Sequence, residues 1–130
     1  MRTFLILCTL TMGSLAVVAV LAAAPTASAD RVPVTPGTCT KSSTSKIKAK
    51  LDDGRIEAEF EVDQNVIGRR WSVVLRRNGR VAFRGVRTTR GPSGSFELRR
   101  FLGNAPGRDR ITATARALRG GEICTAATTV

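Results

Sequence analysis

From Lys46 to Asp63 charged and apolar side chains alternate with a period of two, interrupted only at Asp53-Gly54. That period fits half-buried strands, because the apolar positions of a helix recur every three to four residues. With Asp53 and Gly54 as a two-residue turn, Leu51 opposes Ile56, Ala49 opposes Ala58 and Ile47 opposes Phe60. The same register sets Lys50 against Glu57, Lys48 against Glu59 and Lys46 against Glu61. One face of the hairpin is then apolar and the other is a ladder of opposite charges. A three-residue turn would bring Leu51 against Arg55 and mix the faces, so the pattern selects one register.

The rest of the chain repeats this rhythm more loosely. Residues 64–68 break it as a connection. Residues 70–78 place Trp71, Val73 and Leu75 on one side, with Arg70, Ser72, Val74 and Arg76 on the other. The Asn78-Gly79 pair then marks a turn into residues 80–88. A two-residue turn would oppose Val73 to Arg84, so a three-residue turn over Arg77, Asn78 and Gly79 is expected instead. Leu75 then meets Val81, Val73 meets Phe83 and Trp71 meets Gly85. Residues 90–94 read as a mobile loop, and residues 95–102 as a fifth strand with Phe96 and Leu98 inward. Residues 110–118 set Ile111, Ala113, Ala115 and Ala117 against Arg110, Thr112, Thr114 and Arg116. Gly120-Gly121 turns the chain into a seventh strand, residues 122–129, with Arg119 and Glu122 pairing across the turn. Residues 31–45, rich in Thr, Ser and Pro, read as an extended segment that becomes ordered near Cys39.

Seven short strands with a turn signal every 8 to 12 residues predict an all-β fold, a seven-stranded immunoglobulin-like antiparallel β-sandwich. Trp71 on the third strand stands where such domains often keep a core tryptophan. The strand plan resembles immunoglobulin and fibronectin type III domains, although the cysteines would join the ends of the domain rather than its second and sixth strands. A second resemblance rests on Glu57-Ala58-Glu59-Phe60-Glu61-Val62-Asp63-Gln64-Asn65, on Arg70-Trp71, and on Thr89-Arg90-Gly91-Pro92-Ser93-Gly94-Ser95-Phe96-Glu97. In these the chain is similar to small exported proteins of high-GC actinobacteria. That likeness implies export and a β fold and carries no mechanism with it.

Before the strands, Arg2, an apolar run from Phe4 to Ala24 and Ala27-Ser28-Ala29 together read as a signal peptide, residues 1–29, cleaved before Asp30. The competing reading is a retained anchor, which Pro25 and the small residues at the cleavage site disfavour. Residues 30–44 then form the extended segment and residues 45–130 the sandwich. The product is expected to be secreted, with no transmembrane segment left. It would hold Cys39 and Cys124 as its two cysteines, and in an oxidising compartment a single disulfide follows. By the chain-entropy model such a bond stabilises the fold by about 4 to 5 kcal/mol.

The chain has no histidine, which excludes Ser-His-Asp and Cys-His catalysis. It also lacks a zinc ligand set. Glu57, Glu59 and Glu61 lie roughly 6.5 to 7 Å apart along one face, a spacing that an inverting glycosidase could use. Facing lysines would keep them ionised, so a solvated charge ladder is the expected role. Asp63-Gln64-Asn65 reads as a turn rather than a calcium loop, since the later acidic ligands are missing. Residues 90–95 could cradle an anion, but no helix follows them. No enzyme activity, metal or cofactor is expected.

Charge supplies the one hint of a partner. Residues 69–119 hold 14 arginines against Glu97 and Asp109, whereas residues 30–68 hold 6 basic and 7 acidic groups. Arg70, Arg76, Arg80 and Arg84 are expected to share the outer face of the third and fourth strands. Such a face attracts anionic polymers of the cell envelope, less so at high salt. The same excess could reflect arginine-rich composition that merely keeps an exported domain soluble. Sequence-specific nucleic-acid reading is not expected, because Phe60, Trp71, Phe83 and Phe96 fall on apolar faces and only Phe101 is left for stacking. The alternative class is a small-molecule carrier or extracellular inhibitor, with the Ala113, Ala115 and Ala117 row leaving room for a ligand. Oligomeric state is not encoded in any of these patterns.

Overall fold

The computed structural model describes Ala24 and residues 31–130. The signal-peptide segment, its cleavage site and Asp30 lie outside the described residues. Nine strands are formed: β1 (Thr35–Pro36), β2 (Thr38–Cys39), β3 (Thr44–Asp52), β4 (Arg55–Asp63), β5 (Arg70–Arg77), β6 (Arg80–Thr88), β7 (Ser95–Gly103), β8 (Arg110–Ala117) and β9 (Ile123–Thr129). They make two antiparallel sheets in the orders β1-β3-β4-β7 and β2-β9-β8-β5-β6. Three hairpins and the lone strand β7 are joined by connections that cross between the sheets. Among the described residues no helix is long and apolar enough to cross a membrane.

The expected count of seven strands is corrected to nine, because residues 31–45 contribute two short strands. These belong to different sheets. Thr35 pairs with Ile47 in one, and Cys39 with Cys124 in the other. The chain crosses between them at Gly37, whose N–H donates to the Ser45 carbonyl at 2.8 Å. A Cβ there would run into the Thr125 carbonyl and Ser45 Oγ, so only glycine allows this crossing. The Cys39–Cys124 disulfide follows at once and fastens β2 to β9.

The β3–β4 register is the one the alternation predicts, at all six positions. Ile47, Ala49, Ile56, Ala58 and Phe60 enter the core with Trp71, Val73, Leu75, Phe96, Leu98 and Ile111. Leu51 does not, being 57% exposed. The reason is local, since β1 covers β3 only at Lys46 and Ile47 and leaves Leu51 on a bare flank. Phe96 packs against Phe60 and Trp71, with ring centroids 6.3 and 6.2 Å apart.

The second hairpin differs from expectation. Asn78 and Gly79 form a two-residue turn with φ of 51° and 81°, and Arg77 faces Arg80. The extra residue sits further along, where Arg76 faces Val81 and Leu75 faces Phe83, leaving Ala82 as a bulge. Val73 therefore meets Gly85, and Trp71 meets Arg87. The bulge satisfies two demands that a uniform register cannot: the Asn-Gly turn at the tip and Leu75 beside Phe83 at the core.

Polar side chains close the ends of the sandwich. At one end Asp109, wholly buried, accepts Asn78 Nδ2 at 2.7 Å and the Ala105 N–H at 3.2 Å, with Arg77 Nε 3.8 Å away. Glu122 does not pair with Arg119 across the turn. It is buried and accepts the N–H and hydroxyl of Ser43 at 2.9 and 2.8 Å, which joins β9 to the entry of β3. Residues 90–95 are held by backbone bonds between Arg90, Gly94 and Ser95. Those bonds occupy the N–H groups of Arg90, Gly94 and Ser95, which are therefore not offered to an anion.

Candidate polyanion interface

Alternation fixes which side chains leave each sheet. In β5 the buried set is Trp71, Val73 and Leu75, so Arg70, Ser72, Val74 and Arg76 point outward. Cross-strand partners share a face, which carries Arg84 (opposite Val74) and Val86 (opposite Ser72) to the same side. In β8, Ile111, Ala113, Ala115 and Ala117 are buried, and Arg110, Thr112, Thr114 and Arg116 face out. The register then places Arg116 beside Ser72, and Thr112 beside Arg76. The outer face of the five-stranded sheet thus carries Arg70, Arg76, Arg84, Arg110 and Arg116. Its other members include Thr38, Thr88, Thr125 and Thr129, and no carboxylate.

Among the described residues none of these five arginines forms an ion pair. Arg110 and Arg116, six residues apart on one strand, span about 20 Å. Three of the four residues expected on this face are there. The fourth, Arg80, is exposed but stands opposite Arg77 at the hairpin tip, because the Ala82 bulge shifts it out of the row. Arg110 and Arg116 were missed by the sequence reading. Their outward alternation was visible, but nothing in the chain says that β8 lies beside β5.

The other outer face is built differently. Lys46, Lys48 and Lys50 reach Glu61, Glu59 and Glu57 at 3.3, 2.5 and 3.2 Å. From β7, Arg99 enters between the carboxylates and contacts both Glu57 and Glu59. Glu57 is only 4% exposed, so the expected solvated ladder is corrected at this rung. Its Oε1 accepts no aligned hydrogen bond and is compensated by the Arg99 charge. Burial opposes ionisation of Glu57, but Lys50 and Arg99 outweigh it and hold the carboxyl below its ordinary value. The hydrogen bond to Glu59 raises the Lys48 ammonium above its usual value, against burial. A paired carboxylate held down in pKa is a poor general acid.

The remaining candidates have structural partners. Asp63 accepts the Asn65 N–H at 2.9 Å, and Gln64 Oε1 accepts Trp71 Nε1 at 3.0 Å, so Asp63-Gln64-Asn65 is a turn. Ala113, Ala115 and Ala117 lie in the core between the sheets. Cys39 and Cys124 are bonded to each other, which removes them as nucleophiles or metal ligands. Phe101 is 46% exposed on the ladder face, with the Arg55 guanidinium 4.6 Å from its ring centre. No family model, curated protein or solved structure matches the chain.

Proposed function

We propose that this protein is a secreted, non-enzymatic interaction module that binds anionic polymers of the cell envelope through the outer face of its five-stranded sheet. The observation that carries this reading is the row of Arg70, Arg76, Arg84, Arg110 and Arg116 with no carboxylate among them. An array of uncompensated guanidinium groups holds a field of one sign, and a flexible chain of phosphate or sulfate groups can satisfy it in many registers. The face carries no aromatic side chain, which favours contact with charged groups over base stacking. An immunoglobulin or fibronectin type III-like plan is the scaffold we propose. The split of the long strands into β3-β4-β7 and β9-β8-β5-β6 supports it. A carrier role gains no support from the alanine row, which is filled by core packing.

Retention on an anionic matrix tests the reading. Replacing Arg76, Arg84 and Arg116 together by Ser is expected to lower the eluting salt concentration markedly, while Arg80→Ser alone lowers it little. Equal elution of the triple variant and the parent would reject this face as the binding surface.

A further inference from the structure

At the end of the sandwich where β5 begins and β8 finishes, a cleft of about 440 Å³ is lined by Gln64, Arg69, Arg70, Leu118 and Arg119. The connection from β4 to β5 supplies Gln64 and Arg69, the first residue of β5 supplies Arg70, and the β8–β9 turn supplies Leu118 and Arg119. The backbone beneath the arginines is pinned. Thr89 Oγ1 accepts the Arg69 N–H at 2.9 Å, the Thr89 N–H donates to the Arg69 carbonyl at 2.8 Å, and the Leu118 N–H donates to the Arg70 carbonyl at 2.9 Å.

The side chains that line the cleft offer donors. Gln64 Oε1 is committed to the indole N–H of fully buried Trp71, so the amide is left with its N–H groups to offer. No carboxylate lines the cleft, because Glu122 turns inward to Ser43 and Asp63 accepts the Asn65 N–H. Among the described residues Arg69, Arg70 and Arg119 form no ion pair. Three arginines and a glutamine therefore line one concavity with no acidic side chain among its lining residues.

We infer that this cleft is a binding site for a phosphoryl group, held by Arg69, Arg70, Arg119 and the Gln64 amide. Guanidinium forks match the oxygens of phosphate, and three positive charges favour a doubly charged phosphoryl group over a singly charged carboxylate. The cleft is larger than phosphate itself and falls in the size range of small-molecule sites, so a small ester fits with it. Leu118, half exposed, gives that ester an apolar wall. A free phosphate ester and the terminal unit of a phosphate polymer present the same chemistry. The inference stands apart from the sheet face, with which the cleft shares only Arg70.

Nuclear magnetic resonance of the nitrogen-labelled protein tests it, with inorganic phosphate, glycerol 3-phosphate, polyphosphate and acetate titrated at constant ionic strength. The expected result is a saturable shift of the Gln64 side-chain amide and of the Arg69 and Arg119 Nε–H signals with phosphate, and roughly tenfold weaker binding of acetate. Replacing Arg69 and Arg119 together by Ser weakens the phosphate response by roughly tenfold or more, whereas Arg108→Ser, in the loop preceding β8, leaves it intact. Both replaced side chains are exposed, and the backbone amide spectrum confirms that the fold is kept. In the variant with Arg76, Arg84 and Arg116 replaced by Ser, read at the Arg119 Nε–H, tighter binding of glycerol 3-phosphate than of polyphosphate supports the site as one for a free ester, and the reverse supports it as one for a polymer end. With inorganic phosphate as titrant, shifts that never saturate, shifts spread over the sheet face, acetate binding as tight as phosphate, or an indifferent double variant would each overturn the inference.

Discussion

The outer face of the four-stranded sheet sets Lys46, Lys48, Lys50 and Arg99 among Glu57, Glu59, Glu61 and Glu97, whereas that of the five-stranded sheet sets five arginines among threonines. On the first, every one of these charges but Glu97 is paired with its opposite, so the field largely cancels over a few ångströms and the charges act on the fold. On the second nothing cancels, and the field extends into solvent as far as salt allows. A formal net charge of +11 for the whole chain hides this division. What decides partner choice is which side the excess occupies.

The largest effect that separates the faces is a reversal of charge. Replacing Arg76, Arg84 and Arg116 by Glu is expected to abolish retention on polyphosphate and to flatten the dependence of log affinity on log salt by about 2 to 3. Replacing Lys46, Lys48 and Lys50 by Glu changes the net charge by as much, yet should change retention far less while lowering the melting temperature. Similar loss of retention in both variants would mean that net charge alone matters, and the contrast between the faces would fall.

Acid titration should sharpen the contrast. Since Glu57 is held below its ordinary value of about 4.3, its contribution to stability is complete above that pH and is lost as pH falls through the lowered value. Lys48 has the opposite sign, its contribution complete below about 10.4 and lost as pH climbs through the raised value. Thermal melting of the parent should therefore drop more steeply between pH 5 and 2 than that of Glu57→Gln, by roughly 5 °C or more. Identical pH profiles would show that the buried rung is not what the ladder relies on.

The smallest effect concerns the outermost rung. A double-mutant cycle on Lys46 and Glu61, both partly exposed, should give a coupling of about 0.5 kcal/mol that shrinks in 1 M salt. A coupling of several kcal/mol there would erase the distinction between buried and solvated rungs.

The first hairpin was legible in sequence because three signals agreed: the period of two, the complementary charges and the Asp-Gly turn. Where signals conflicted, the reading slipped. Val81-Ala82-Phe83 has no alternation to show which residue is left unpaired, so the bulge at Ala82, and with it the place of Arg80, could not be read. Strands of two residues are too short to display a period, which hid β1 and β2. Burial of Glu57 depends on Arg99 arriving from β7, 42 residues along the chain, and no local pattern records that neighbour. No local pattern records the cleft either, since its arginines come from two loops and the first residue of β5, which meet only after folding.

The crossing at Gly37 and the bond from Cys39 to Cys124 fasten two short strands over part of one flank, while β6 and β7 run full length along the opposite flank without a strand beyond them. There the Arg87 and Arg100 guanidinium groups lie 5.0 and 4.3 Å from the centre of the Phe83 ring. A newcomer that adds along a full-length edge strand must approach from that side and displace two cations from an aromatic surface.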